Sequence, residues 1–209
     1  MKQLLLTIAA VVLVGCGESK KQNIWEAAAS NDTNTIDLLI ALGQNVNAKD
    51  GGLGTPIHHA AIEGHKALIK YLIEKGAKIN EINSIGYTPL HYAAQAGNNE
   101  VVEMLIANGA ELNLRDNIDG GPLYENIVGG NTPLMHAVFA YEKDTIELLL
   151  KSGAEVNLLY DMGFTALDII NLKAEAVKRE EQQKLLSEIA DLLRKHGAKT
   201  GAELKAEGK

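Results

Sequence analysis

The feature that most constrains this chain is a short motif that recurs about every 33 residues. The motif reads Thr-Pro-Ile-His, or a close variant, and begins at Thr55, Thr88, Thr132 and Thr165. The successive spacings are 33, 44 and 33 residues, so the middle spacing equals one period plus 11. A fixed period of roughly 20 to 50 residues is typical of repeat proteins, in which each unit is one supersecondary element. The chain is therefore predicted to be a stack of similar units.

Two further residue types recur with the same period and mark the ends of the units. A glycine follows each apolar run that is predicted to form a second helix, and it is expected to end that helix in the left-handed conformation. An asparagine follows the first four glycines at a fixed offset and is predicted to start a turn. The glycines are Gly43, Gly76, Gly109, Gly153 and Gly197, and the asparagines are Asn47, Asn80, Asn113 and Asn157. These markers divide the chain into five units.

The segments TPLHYAAQAG and VVEMLIANGAELN, with their counterparts in the other units, resemble the ankyrin repeat. The resemblance implies an all-α fold over residues 23–198, an ankyrin-repeat solenoid of about five helix-turn-helix units joined by short β-hairpin loops. In such a unit, threonine and proline begin the first helix, and the second helix presents a stripe of leucine and isoleucine. Trp25 and Asp168 stand where the first and last units depart from the motif. Terminal units are expected to differ, because one face of each meets water.

Two insertions of 11 residues interrupt the period. The first, near residues 118–128, lies in the loop between the third and fourth units and carries apolar residues between glycine pairs. It is expected to project from the stack, either offering apolar side chains to a partner or folding back onto a neighbouring unit. The second, near residues 173–184, is rich in Lys, Glu and Gln and is expected to form an extended, solvated helix. Residues 199–209 are expected to be a polar C-terminal tail.

The N-terminal residues indicate a targeting signal. A lysine precedes 11 apolar residues, 4–14, and this run is too short to span a bilayer, which needs about 20. The run ends in Leu13-Val14-Gly15-Cys16, which resembles a bacterial lipobox. The resemblance implies a signal peptide of residues 1–15 that is cleaved before Cys16. It also implies that Cys16 becomes a lipid anchor with acyl chains such as palmitate.

The same resemblance predicts where the protein resides. Residues 16–22 would form the lipidated cysteine and a short tether, which reaches only about 20 Å when extended. A partner is therefore expected close to the membrane surface. Gly17 follows the cysteine where retained lipoproteins carry Asp, so we expect a lipid-anchored protein of the bacterial outer membrane that faces the periplasm.

Composition argues against several classes of function. Cys16 is the only cysteine, so its lipidation would leave no thiol for a disulfide, for thiolate catalysis or for a zinc site. The formal net charge of −7 gives no general attraction for nucleic acid. Aromatic residues make up only 4% of the chain, which does not favour a typical enzyme pocket. We therefore predict a non-catalytic protein with no cofactor, no nucleic-acid partner and no small-molecule substrate.

One cluster of side chains keeps a metal-binding or enzymatic function open as an alternative. His59 lies four residues before Glu63, so both could share one helix face. However, His58 and His91 occupy the regular histidine position of the repeat, where the resemblance implies a hydrogen bond to the backbone. His136 lies one place after that position and has no role that follows from the sequence. The whole cluster consists of His58, His59, Glu63 and His65.

The resemblance implies protein–protein interaction through the loop tips and the inner helices. Its aromatic members are expected to be interface anchors, although Phe139 and Phe164 could instead fill gaps between units. An alternative within the same class is an immunity-type inhibitor of a periplasmic toxin or effector. The expected contact positions, including the first insertion, are Ile62, Glu63, Ser84, Ile85, Tyr87, Gln95, Leu123, Tyr124, Ile127, Phe139, Met162 and Phe164.

Overall fold

The computed structural model describes residues 23–117, 130–160 and 163–208. These residues contain eleven α-helices and no β-strand. In chain order the helices are α1 (Ile24–Ala29), α2 (Thr33–Ala41), α3 (Pro56–Ile62), α4 (Lys66–Glu74), α5 (Pro89–Gln95), α6 (Asn99–Ala107), α7 (Pro133–Ala140), α8 (Lys143–Lys151), α9 (Ala166–Ala176), α10 (Glu180–Lys195) and α11 (Gly201–Ala206). The all-helical architecture is as predicted.

The first ten helices pair into five units that stack side by side. The first helices α1, α3, α5, α7 and α9 each contact the next in the series, and α4, α6 and α8 form the row of second helices. In α5 the Thr88 hydroxyl accepts a hydrogen bond from the His91 N–H, and Pro89 occupies the first helical position. Ala93 and Ala94 are fully buried, so neighbouring first helices approach closely. This is the stacking that the repeated motif predicts.

The apolar core runs along the whole stack. Large side chains of the second helices are fully buried, and they include Ile69, Leu72, Val102, Leu105, Ile146 and Leu149. They form one continuous cluster with the small and branched residues of the first helices. Because each unit buries its apolar face against its neighbours, stability is shared along the stack.

The periodic asparagines join neighbouring units. The Asn47 side chain donates to the Gly76 carbonyl at 3.0 Å and accepts from the Lys78 N–H at 2.9 Å. Asn80 makes the same pair of bonds one unit later, and Asn157 makes them near the C-terminus. Asn113 accepts from the Glu155 N–H at 3.0 Å. Each asparagine therefore binds the helix end of the following unit.

The second insertion lengthens both helices of the last unit. Helix α9 has 11 residues where α3 has 7, and α10 has 16 where α4 has 9. The additions of four and seven residues are close to one and two helical turns, so the apolar face keeps its direction and Leu186, Ile189 and Leu193 are fully buried. The expectation of one extended helix is wrong, because extended backbone at Val177 separates α9 from α10.

The segment expected to be a polar tail contains a helix that covers the end of the stack. Thr200 caps α11, and the Glu203 side chain completes the capping box. Glu203 also accepts two hydrogen bonds from Arg194 at 3.0 Å, and Leu204 is buried. The Gly201 N–H donates to Asp168 at 2.7 Å. Although the segment is polar in composition, residues 199–208 pack against the fifth unit.

Candidate protein-binding surface

The loops between units all close in the same way. A backbone N–H three residues after the periodic position of the asparagine donates to the carbonyl of the residue before the motif threonine. The four pairs are Asp50 with Gly54 at 3.0 Å, Asn83 with Tyr87 at 3.0 Å, Asp116 with Asn131 at 2.9 Å and Tyr160 with Phe164 at 2.6 Å. These loops are turns closed by one such bond, so the β-strands expected from the resemblance are not formed in the described residues. The first insertion begins and ends at a loop base of the common type.

A side chain from the first helix supports three of these loops. Nε2 of His59 donates to the Asp50 carboxylate at 2.7 Å, and Nε2 of His136 donates to Asp116 at 2.8 Å. In the loop between them, the Asn83 amide donates to the Tyr92 hydroxyl at 2.9 Å. All three helix residues lie four positions after the motif threonine. His136 therefore has a regular structural role, which its offset from Thr132 could have indicated.

The loop carboxylates are held by backbone donors. Asp50 accepts from the N–H groups of Gly52 and Gly54, each at 2.8 Å. Burial acts to raise the pKa of Asp50, but these bonds and the His59 contact outweigh it and hold that pKa below its usual value. Burial opposes ionisation of Asp116 as well, and the hydrogen bonds from His136 and Asn131 lower its pKa. Both carboxylates are therefore ionised at neutral pH and fix the loop conformation.

Adjacent loops are bonded to each other along the stack. The Asn83 amide donates to the Leu53 carbonyl at 3.3 Å, and the Asn117 N–H donates to the Ile85 carbonyl at 2.8 Å. One Arg115 nitrogen bridges the carbonyls of Gly130 and Leu159 at 3.1 and 2.8 Å. We name this continuous surface the loop ridge, and it comprises the described residues of 50–54, 82–87, 115–117, 130–131 and 159–164.

The loop ridge carries most of the strongly exposed large apolar side chains in the described part of the chain. Its members are Leu53 (41% exposed), Ile82 (42%), Ile85 (41%) and Leu159 (38%). The other two are Leu42 after α2 and Leu172 on α9, each 53% exposed. Apolar side chains that stay in water on firmly bonded loops are typical of a surface that a partner covers.

A second row of candidate contacts lies on the first helices. The residue seven positions after the motif threonine shares one place in each unit, and the row consists of Ile62, Gln95, Phe139 and Leu172. Gln95 and Leu172 are exposed, whereas Ile62 and Phe139 are half-buried. We name this row the inner helix face. Sequence reasoning missed Leu172, although its offset from Thr165 equals that of Ile62 from Thr55.

Comparison with protein families identifies the repeats. A family model described as Ankyrin repeats (3 copies) matches residues 24–116, and a model described as Ankyrin repeat matches residues 129–160. The chain belongs to the ankyrin-repeat family. No curated protein matches it. Ankyrin repeats are in general non-catalytic modules for protein–protein interaction, and the fifth unit, with its two lengthened helices, lies outside both matches.

Tyr87 corrects one expectation about the ankyrin contact positions. Its side chain is only 7% exposed, and its ring lies 5.5 Å from His91, 5.1 Å from Tyr92 and 4.5 Å from His136. Burial raises the pKa of the Tyr87 hydroxyl to about 12. Tyr87 is therefore a core residue of the loop base, and the prediction that it is an interface anchor is wrong.

The two phenylalanines lie at the boundary between core and surface. Phe139 is half-buried, with its ring edge-on to Tyr160 at 5.7 Å and the Lys173 ammonium 5.9 Å above it. Phe164 is half-buried, and its carbonyl closes the last loop. Both residues thus fill a gap between units and keep part of their surface in water. Tyr160, which sequence reasoning missed, completes this cluster.

The remaining predicted contacts divide into exposed residues and residues outside the described structure. Glu63, Ser84, Ile85 and Gln95 are exposed. Ser84 donates to the Gly52 carbonyl of the neighbouring loop at 3.3 Å. The residues Cys16, Leu123, Tyr124, Ile127 and Met162 lie outside the described residues, so their roles stay predictions.

The histidines of the candidate metal cluster are bound to different partners. The His58 ring joins Thr55 to the Tyr87 carbonyl, whereas His59 donates to Asp50. Nε2 of His65 lies 2.9 Å from the Ala29 carbonyl in the first unit. In the three described segments, no group of three or more His, Cys, Asp or Glu side chains is arranged to hold a metal ion. The three rings therefore do not converge on one site.

Proposed function

We propose that this protein is a lipid-anchored ankyrin solenoid of the bacterial envelope that binds a protein partner through its loop ridge and inner helix face. The observation that carries the proposal is the set of exposed apolar side chains on loops that are bonded to each other and to their own helices. A rigid loop loses little conformational entropy when a partner binds, so burial of these side chains contributes more of its free energy to affinity.

The proposed membrane attachment rests on the sequence. The 11 apolar residues that end before Gly15-Cys16 support cleavage and lipidation at Cys16. Each buried methylene of an acyl chain contributes about 0.8 kcal/mol, so two or three chains would hold the protein firmly. Among the described residues, no helix is long and apolar enough to cross a bilayer. The short tether would keep the ridge near the membrane surface, and Gly17 favours the outer membrane.

Site-specific photocrosslinking in intact cells tests the binding surface. A photoreactive residue at Ile85 or Leu159 should capture the same partner, because both positions lie on the loop ridge. Leu42 is the matched control, since it is apolar and more exposed but lies away from the ridge. Capture of that partner from Leu42 as efficiently as from the ridge would refute the surface. A captured toxin or effector would identify the inhibitor form of this function.

A substitution at the proposed anchor tests the attachment separately. Cys16→Ser should abolish incorporation of labelled palmitate and release the mature protein from the membrane fraction. The reason is that the lipid is attached to the thiol, which serine lacks. Equal labelling of the wild type and the variant would overturn the anchor without affecting the binding proposal.

A further inference from the structure

Two histidines connect neighbouring units through the loop bases. Nε2 of His58 lies 3.0 Å from the Tyr87 carbonyl of the next unit, and Nε2 of His91 lies 3.1 Å from the Asn131 carbonyl of the unit after that. Each ring crosses from one unit to the loop base of the following one. We name these two contacts the histidine clasps. Met135 takes the same position in the fourth unit and has no N–H with which to reach the next loop.

The surroundings of each ring require it to be neutral. The Thr55 N–H donates to Nδ1 of His58 at 3.1 Å, and the Thr88 N–H donates to Nδ1 of His91 at 3.0 Å. Nδ1 is therefore an acceptor, and Nε2 carries the proton that is donated to the carbonyl. Protonation of Nδ1 would place its N–H against the threonine N–H. That change breaks the helix cap and the clasp at the same ring.

The charged and titratable groups around His91 also oppose a second proton. Tyr87 stacks on the ring, His136 lies edge-on at 5.4 Å, and Asp116 faces it from the loop base. Burial, together with the nearby His136, lowers the pKa of His91 to about 4, although Asp116 acts in the opposite direction.

The surroundings of His58 act in the same way. Burial lowers the pKa of His58 to about 4, assisted by His59 and opposed by Glu81 and by the bond to the Tyr87 carbonyl. The Tyr92 ring lies edge-on to His58 at 6.1 Å. Two buried rings at successive unit junctions thus share one geometry and one preference for the neutral form.

We propose that the histidine clasps are acid-sensitive connections, which open the loop bases of the second, third and fourth units on acidification and leave the junction of the fourth and fifth units closed. In the unfolded chain a histidine takes up its proton near pH 6.5, whereas in the folded chain it does so only near pH 4. The stabilisation is therefore complete above about pH 6.5 and is lost as the pH falls toward 4. At pH 4 each clasp should weaken the folding equilibrium by about a hundredfold.

The chain provides matched variants for this proposal. His91→Met copies the residue at Met135, and it should remove about a hundredfold of the loss in the folding constant between pH 7 and pH 4. Met135→His should add a third clasp, toward the Phe164 carbonyl, and make the pH dependence steeper. His196→Gln changes a histidine outside the clasps and is the control. Urea unfolding of the full chain, followed by circular dichroism at several pH values, measures the folding constants.

Amide hydrogen exchange locates the change within the wild-type chain. As the pH falls to 4.5, the Thr55 and Thr88 amides should lose protection first, after correction for intrinsic exchange rates. The Thr165 amide is the reference, because it donates to Asp168 and not to a histidine. Equal pH dependence of the wild type, His91→Met and Met135→His would overturn the proposal, and so would simultaneous loss of protection at all three threonines. The exchange measurement keeps the test decisive even if His91→Met does not fold.

Discussion

The chain accommodates two insertions of equal length in different ways. One lies at the tip of the third loop, whose base is closed by Asp116 and Asn131 as in the other loops. The other is divided between α9 and α10 in steps close to whole helical turns. A loop base constrains only the two ends of what lies above it, whereas paired helices constrain the direction of every apolar side chain. The stack therefore accepts added residues freely at a loop and only in whole turns within a helix pair.

The largest expected effect comes from the same leucine truncation in each insertion. Leu186 is fully buried in the added turns of α10, so Leu186→Ala should cost about 3 kcal/mol through lost burial and a cavity. Leu123→Ala, in the loop insertion, should cost less than about 0.5 kcal/mol if that segment projects into solvent. Urea unfolding of both variants measures the difference. A cost above about 2 kcal/mol for Leu123→Ala would show that the first insertion belongs to the core.

An intermediate effect is expected at the base of the third loop. Asp116→Ala removes the acceptor of the bonds from His136 and Asn131, and it should cost about 2 to 3 kcal/mol because buried donors lose their partner. Asp50→Ala is the matched change in a loop without an insertion. It should cost less, because the Asp50 side chain is more exposed than that of Asp116. The two unfolding free energies at pH 7 decide the order, and equal costs would contradict the special role of the buried pair.

The smallest effect is expected from removing the loop insertion. Deletion of residues 118–128 restores the eight-residue spacing from Asn113 to Thr132 that the other loops have. Stability should change by less than about 1 kcal/mol, because loop-closure entropy varies slowly with length. Thermal unfolding measures this change. If the deleted protein stays folded and binds its partner with unchanged affinity, the contact surface lies entirely on the described ridge and inner helix face.

The sequence alone was sufficient for the stack, because its period records positions that every unit must fill. Threonine, proline, glycine and asparagine recur since each makes the same local bond in each unit. The split of the second insertion was not predictable in this way. Eleven residues equal three turns in one helix as well as one turn plus two in a pair, and only the break at Val177 distinguishes these arrangements.

The candidate surface was less accessible to sequence reasoning than the fold. Tyr87 occupies a position that varies between ankyrin units, yet two histidine rings and Tyr92 enclose it here. Burial of that kind depends on side chains that are distant in sequence, such as His136. Leu172 and Tyr160 were accessible in principle, because their offsets from Thr165 match those of exposed or loop residues in other units.

The common loop base has a consequence for how this scaffold could change over evolutionary time or by engineering. The bond between Asp116 and Asn131 fixes where the chain leaves the stack and where it returns, whatever length of chain lies between. A foreign peptide grafted in place of residues 118–128 would thus be presented from a rigid two-point mount. Because the other three loops share that mount, each is an equivalent acceptor site, and several peptides could be displayed side by side at the spacing of the repeats.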